Sequence, residues 1–235
     1  MNQETIARLN AINANFYDVT ATEFDATRVR AWAGWEPLTD VLSAPLSVLD
    51  VGCGNGRFGI FLANHLEGAI AYHGLDNNVA LLNFAETALA DYPQLKVTMS
   101  QHDVITSPLP NTQADLVVLF GVLHHVPGYD NRQQFMRALA DRVASGGLLV
   151  VAAWRFYEYE RFKARLVDWD NSFTVEKHDY LLDWRRGDRA LRYCHYVDDD
   201  ELAELIAASG LREVKRYRAD GSDNRMNVYV VLQKD

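Results

Sequence analysis

Cysteine is scarce in this chain of 235 residues: only Cys53 and Cys194 occur. Two thiols make neither a disulfide framework nor a zinc cluster, and Cys53, set among glycines, reads as a small space-filler. No apolar run reaches the ~18 residues needed to span a bilayer. The opening Met1-Asn2-Gln3-Glu4 has neither the basic nor the apolar part of a secretion signal, so the expectation is a cytoplasmic protein without a membrane partner. Positive charge is also short. There are 23 Lys and Arg against 32 Asp and Glu, for a net charge of −9. That weighs against a polyanion as partner, because such affinity comes from Lys and Arg contacts to phosphate, although a local basic face remains open. No internal repeat or low-complexity tract is apparent. What remains is 49% hydrophobic and 23% charged, an ordinary globular balance in a length suited to one large domain.

The most informative stretch is Val48–Gly59, VLDVGCGNGRFG. Val48, Leu49 and Val51 read as a strand buried on both faces. Glycines follow at 52, 54, 56 and 59, where the backbone can take positive φ and approach a ligand. An apolar helix start, Phe58–His65, comes next. Strand, glycine turn and helix make a nucleotide-site geometry. Gly54-x-Gly56-x-x-Gly59, with Asp76 further on, formally fits a dinucleotide fingerprint. Asp50 argues otherwise, since its carboxylate lies where a pyrophosphate would need to sit. A ligand with an adenosine end and a cationic end suits the site better. S-adenosylmethionine (SAM) has a sulfonium, an ammonium and no phosphate; Asp50 would favour its cationic end and Asp76 its ribose hydroxyls. The competing reading is a tight turn before a helix cap.

Patterning along the chain supports a sheet built around this turn. Residues 3–18 carry Ile6, Leu9, Ile12 and Phe16 at helical spacing. Phe24–Trp32 has no clean period, and Glu36–Leu42 reads as a short helix. Strands are expected at 69–75, 95–99, 114–122 and 148–154, with helices at 78–90 and 131–144, the latter opened by Asn131 and Gln134 as a capping-box variant. Arg155–Val167 looks helical. Asp168–Arg189 holds Trp169, Phe173, Tyr180 and Trp184 without a period. Leu191–Val197 reads as extended. Asp198 and Glu201 form a capping box for a helix ended by Gly210. Leu211–Tyr217 and Asn227–Leu232 close the chain as an antiparallel pair. The fold class is α/β: a doubly wound, mostly parallel seven-stranded sheet with an N-terminal helical cap and an insertion before the last two strands. The divisions are cap 1–45, core 46–154, insertion 155–190 and closing part of the sheet 191–235. Ligands bind at the carboxyl ends of such strands, where Asp50, Asp76, Asp103 and His124 are expected to converge.

Asp50-Val51-Gly52-Cys53-Gly54-Asn55-Gly56 resembles motif I of the class I SAM-dependent methyltransferases. The resemblance implies a Rossmann-like fold, SAM as cofactor and S-adenosylhomocysteine (SAH) as its product. It implies cofactor contacts from Asp50, Gly52, Gly54, Asn55 and Gly56, from Asp76 with Asn77, and from Asp103 with Val104. Asp103 fits equally well as an Asx-turn residue. Methyl transfer mainly requires the acceptor to be held close and in line, so no strong catalytic dyad is expected. His124 and His125 are candidates for a base or for a hydrogen-bond donor to an acceptor carboxylate; packing beside the cofactor and capping the turn at Pro127 is the alternative. No further ligands join them at a metal-site spacing, so no metal is expected. Arginine suits a carboxylate or phosphate because its fork binds two oxygens. That makes Arg28 and Arg192 candidates, with His195 beside the latter, against the alternative of surface salt bridges. Arg185, Arg186, Arg189 and Arg192 form the densest basic cluster.

Four stretches resemble a narrower group, the tRNA wobble-uridine methyltransferases that esterify 5-carboxymethyluridine. They are Glu23–Arg28 with Trp32, Asp50–Gly56, Asp179–Trp184, and Arg192-Tyr193-Cys194-His195 followed by Glu201-Leu202. Asp183 replaces that group's proline, and Asp220-Gly221 with Asn224–Asn227 replaces its Gly-Asn-Trp. The resemblance implies an oxygen acceptor on a carboxylate, with tRNA as partner and a small activator subunit as in its eukaryotic members. A small-molecule O- or N-methyltransferase is the alternative, and a non-catalytic SAM-binding protein a third.

Overall fold

The computed structural model describes residues 1–170, 172, 174–185 and 190–235. Its main sheet is laid down by β1 (Leu46–Val51), β2 (Ile70–Asp76), β3 (Leu95–Gln101), β4 (Ala114–Phe120), β5 (Val143–Trp154), β9 (Arg212–Ala219) and β10 (Asn227–Gln233), in the order β3-β2-β1-β4-β5-β10-β9. The first five run parallel, and β10 lies antiparallel between β5 and β9. The strand order reverses between β1 and β4, which opens a crevice at their carboxyl ends.

Each face of the sheet has its own core. One face carries Val51, Val117, Leu119 and Val151 against Met136 and Leu139 of α4 (Tyr129–Asp141) and Leu202 and Leu205 of α6 (Asp199–Ser209). The other carries Val48, Tyr72, Leu116 and Val150 against Phe58, Phe61 and Leu62 of α2 (Arg57–His65) and the Trp35–Leu38 turn. α3 (Val79–Leu89) completes the layers. Apolar residues on both strand faces are the reason β1 and β4 lack a period of two.

The departures from the sequence reading lie outside this core. α1 runs from Gln3 to Thr27, beyond the apolar period that ends near residue 18. Its last turns are held by tertiary bonds, with Asp25 accepting from the Asn55 amide at 2.8 Å. The expected helix at 36–42 is a 3-10 turn at Ala33–Leu38 with Pro37 inside it. Asn131 does not cap α4: it lies within the helix, and its amide reaches back to the Pro127 carbonyl at 2.8 Å. The carboxylate of Glu176 accepts from the Tyr129 N–H instead, at 3.0 Å.

The segment expected to be helical at 155–167 gives only one short helix, α5 (Glu160–Lys163), and then a second sheet of β6 (Leu166–Val167), β7 (Asp179–Trp184) and β8 (Ala190–His195), paired antiparallel. Phe156 packs with Leu182 and Cys194 of that sheet, and Tyr157, Phe162 and Tyr196 pack around them. Aromatic burial against strands, rather than helical spacing, directs these side chains. β8 therefore belongs to the insertion, not to the closing part of the main sheet. α1 packs on this small sheet through Leu9, Leu181 and Tyr193 and through Phe16 and Trp184. α1 and the small sheet together roof the crevice. Among the described residues no helix is long and apolar enough to cross a membrane.

Candidate active site

A cavity of about 800 Å³ lies between the carboxyl ends of β1, β2 and β4 and this roof. At one end are Asp50, Gly52, Gly54, Asn55, Asp76, Asn77, Asp103 and Val104. Asp50 is 2% exposed, and the Tyr72 hydroxyl donates to it at 2.5 Å. Burial pushes its carboxyl up to about 7, against the Tyr72 bond; Asp76 raises it further and Arg57 lowers it. Asp76 accepts from the Gly54 N–H at 2.9 Å and the Asn78 N–H at 3.0 Å. Burial still raises its pKa in spite of these bonds. A buried acid beside a half-buried one, with no basic side chain of the described residues bonded to either, suits a cationic ligand.

The glycines divide by role. A Cβ on Gly54 (φ +55°) would project into the cavity with only Phe24 nearby, at 3.8 Å. On Gly52 (φ +78°) it would strike Val122 at 2.2 Å. Gly56 does not line the cavity; its Cα faces α3, where a Cβ would meet Ala85 at 2.9 Å. Gly54→Ala is thus expected to cost about 1–2 kcal/mol of stability for its left-handed backbone. Gly146→Ala, at φ +75° with nothing within 4 Å, is the matched control. The expected split is similar loss of urea stability in both, with loss of cofactor binding in Gly54→Ala alone.

Asn55 and Asp103 are less free than the sequence suggests. The Asn55 amide donates to Asp25 and to the Arg28 carbonyl, fastening α1 to the glycine turn. Asp103 forms the Asx turn: it accepts from the Ile105 and Thr106 N–H groups at 3.0 and 3.2 Å and from the Thr106 hydroxyl at 2.5 Å. Its edge still lines the cavity beside Val104.

The other end of the cavity is aromatic and basic. His124 and His125 follow β4, and both are buried and line the cavity. Burial, then the neighbouring His125 and Arg192, holds His124 well below the usual histidine range, and its Nδ1 is buried with no hydrogen-bond partner among the described residues. Burial, then Arg192, lowers His125 to about 3. Its Nδ1 lies 2.9 Å from the Tyr193 carbonyl and 3.1 Å from the Asn13 amide nitrogen, and its Nε2 lies 3.0 Å from the Tyr17 hydroxyl. Both rings are therefore neutral. His124, His125 and Cys194 lie close enough to share an ion, but His125 has both nitrogens engaged and burial raises the Cys194 thiol to about 11.

Arg192 enters the same end with its guanidinium over Trp154 at 4.7 Å and Phe16 at 5.4 Å. It meets no carboxylate among the described residues. Arg28 also lines the cavity; it stacks on Phe24 at 4.5 Å and donates to Thr27 at 2.7 Å. Arg185 pairs with Asp183 at 3.0 Å, and Arg186, Arg189 and Phe173 lie outside the described residues.

His195 is not in the cavity. Strand alternation sends it to the opposite face of β8 from Arg192, where it lies 2.7 Å from Asp179 and 2.7 Å from Glu201, with Arg132 bound to Glu201 and Glu176. Burial opposes its charge, but the two carboxylate bonds outweigh burial and its pKa is raised above 6.5. Burial likewise opposes the Glu201 charge, and His195 and Arg132 pull its pKa below 4.5. The histidine contribution is complete below pH 6.5 and lost as pH rises through the raised value; the glutamate contribution is complete above pH 4.5 and lost below it. The urea-midpoint advantage of wild type over His195→Gln is expected to shrink from pH 6 to pH 8, a difference that sets aside His124 and His125, whose lowered pKa values act in the opposite sense. An advantage that stays constant contradicts the assignment.

Sequence reasoning missed Tyr17, Asn10, Trp154 and Trp184, which all line the cavity. Asn10, Asn13 and Tyr17 recur at helical spacing inside an otherwise apolar face, a polar stripe that marks a helix facing a site.

Comparison with known proteins agrees with this geometry. The methyltransferase domain family model matches residues 49–149, from β1 into β5. An Encephalitozoon cuniculi protein named as a methyltransferase is 28% identical over 220 residues, covering 93% of each chain. The chain is a SAM-dependent methyltransferase with the class I fold. A crystal structure of a SAM-dependent methyltransferase from Methanosarcina mazei shares the fold of this methyltransferase, with a TM-score of 0.67 and 17% identity over 85% of this chain and 97% of that one. The tRNA (carboxymethyluridine(34)-5-O)-methyltransferase of Arabidopsis thaliana is 25% identical over 138 residues, 59% of this chain and 31% of that protein. In this methyltransferase the Asp50–Asp76 end, with its open glycine cradle at Gly54, fits SAM.

Proposed function

We propose that this methyltransferase transfers the methyl group to a carboxylate oxygen. The observation that carries the reading is Arg192: a guanidinium held in the cavity by two aromatic rings, beside the neutral histidines, with no carboxylate of the described residues to answer it. A partly buried cation without a counter-ion is costly unless a ligand supplies one. SAM supplies a methyl already activated on a sulfonium. A carboxylate acceptor is ionised at neutral pH and needs no base, in keeping with two histidines held neutral. Arg192 would bind the carboxylate through its fork, and the unpartnered Nδ1 of His124 offers one further polar contact. The roof of α1 and the small sheet would exclude water.

The likeness to the tRNA wobble-uridine enzymes supports the same acceptor chemistry, a carboxymethyl group. Charge layout favours a small acceptor over tRNA. Several cations outside the cavity are neutralised, among them Arg216 by Glu213, Arg218 by Glu158 and Lys215 by Asp40. An activator subunit belongs with the tRNA reading.

The test is to incubate the protein with methyl-labelled SAM and a panel of carboxylic acids and to treat the products with mild alkali. An ester releases its label as methanol, and that is the expected result; label that resists alkali means an N-methyl or ether product and overturns the reading. Tight tRNA binding with a steep salt dependence, together with loss of wobble-uridine methyl esters in a deletion strain, would instead favour tRNA.

A further inference from the structure

The cavity carries a second cationic group that the carboxylate reading does not use. Arg161 and Arg165 both line it. Arg161 lies in α5 and Arg165 in the turn that follows it, where its N–H bonds the Phe162 carbonyl at 2.9 Å. Arg161 lies over the Phe162 and Tyr159 rings at 4.9 and 5.6 Å, and among the described residues its one side-chain hydrogen bond is a long one, 3.8 Å, to the Met226 sulfur. Arg165 makes no ion pair among the described residues. Acids are not scarce nearby; they are committed elsewhere. Glu160 pairs with Lys163 at 2.9 Å and Glu158 with Arg218 at 2.5 Å. Asp183 pairs with Arg185 at 3.0 Å, and Asp223 accepts from the Tyr159 hydroxyl at 3.0 Å. The two cavity-facing arginines are thus left for a ligand while their neighbours are neutralised.

What lies between the two cationic groups defines the rest of the acceptor. Trp154 contacts Arg192 on one side and packs edge-on against Phe162 at 4.8 Å on the other. Phe162 in turn carries Arg161. The sequence of surfaces is cation, indole, phenyl, cation.

We infer that the acceptor is a planar dianion: the carboxylate to be methylated sits at Arg192, a flat ring lies along Trp154 and Phe162, and a second anionic group, carboxylate or phosphate, is held by Arg161 and Arg165. This rests on the carboxylate reading of Arg192 and adds the second anchor. Arg161 and Arg165 act in specificity and do not touch the reacting atoms.

The test uses SAH-saturated protein and two probes, benzoate as a planar monoanion and terephthalate as a planar dianion, in isothermal titration. Wild type is expected to bind terephthalate at least tenfold more tightly than benzoate. The double variant Arg161→Gln, Arg165→Gln is expected to lose that preference while keeping its benzoate affinity and its SAH affinity. Arg192→Gln is expected to weaken both probes together. No preference in wild type, or a preference that survives in the double variant, overturns the second anchor. Benzoate affinity unchanged in Arg192→Gln overturns the carboxylate reading itself. 4-Phosphonooxybenzoate, which keeps the carboxylate for Arg192, in place of terephthalate identifies the second group: tighter binding that depends on the same two arginines assigns it as phosphate, and weaker binding as carboxylate.

Discussion

Asp76→Ala is expected to abolish useful cofactor binding while leaving a folded protein. The carboxylate holds the Gly54 and Asn78 N–H groups, so it shapes the glycine cradle as well as facing the cavity. Each charge-assisted hydrogen bond contributes about 1.5–3 kcal/mol. Losing the two expected to ribose hydroxyls therefore weakens SAH binding by about 100-fold or more. Asp76→Asn keeps the shape and one acceptor oxygen, and its loss is expected to be smaller. Titration calorimetry with SAH measures both, and circular dichroism checks the fold. If Asp76→Ala binds SAH within threefold of wild type, the cofactor does not lie where the two acids place it.

Arg192→Gln is expected to reduce kcat/KM by about 100-fold or more, since a bidentate pair with a carboxylate is worth roughly 3 kcal/mol or more when partly buried. The loss should fall mainly on KM, because Arg192 grips the carboxylate before and during transfer. SAH affinity is expected to stay the same, as Arg192 is at the other end of the cavity. Arg192→Lys keeps the charge but not the fork and is expected to recover only part of the loss. A KM unchanged in Arg192→Gln contradicts the assigned role.

The core of this fold was legible because its signals are local. Strands buried on both faces announce themselves as apolar runs, and a turn needing positive φ announces itself as glycine. Asp50 and Asp76 were legible for the same reason, standing at the ends of such runs. The insertion was not, since Phe156, Phe162, Tyr180 and Tyr196 are placed by contacts across two strands and a loop, which no helical period predicts. Arg192-Tyr193-Cys194-His195 is the instructive case. As a motif it looks like one functional unit. On a strand it alternates, so Arg192 faces the cavity while Tyr193 and His195 both turn to Asp179, at 2.7 Å each. The period of two was available from the sequence; the carboxylate waiting on the far face was not. Asp103 shows the limit in the other direction, since both its expected roles need the same residue type, and the structure shows the turn bonds to Ile105 and Thr106 on a residue that also lines the cavity.

The central claim is that this glycine turn, flanked by Asp50 and Asp76, serves SAM and not a dinucleotide. Thermal unfolding with SAH or with NAD, each near a hundred times its expected Kd, tests it most directly. Binding confined to the native state at that excess adds about 2.7 kcal/mol, a rise in Tm of about 5–10 °C for a chain of this size. SAH is expected to give that rise and NAD none, because its pyrophosphate would meet Asp50. A rise with NAD and none with SAH would contradict the account.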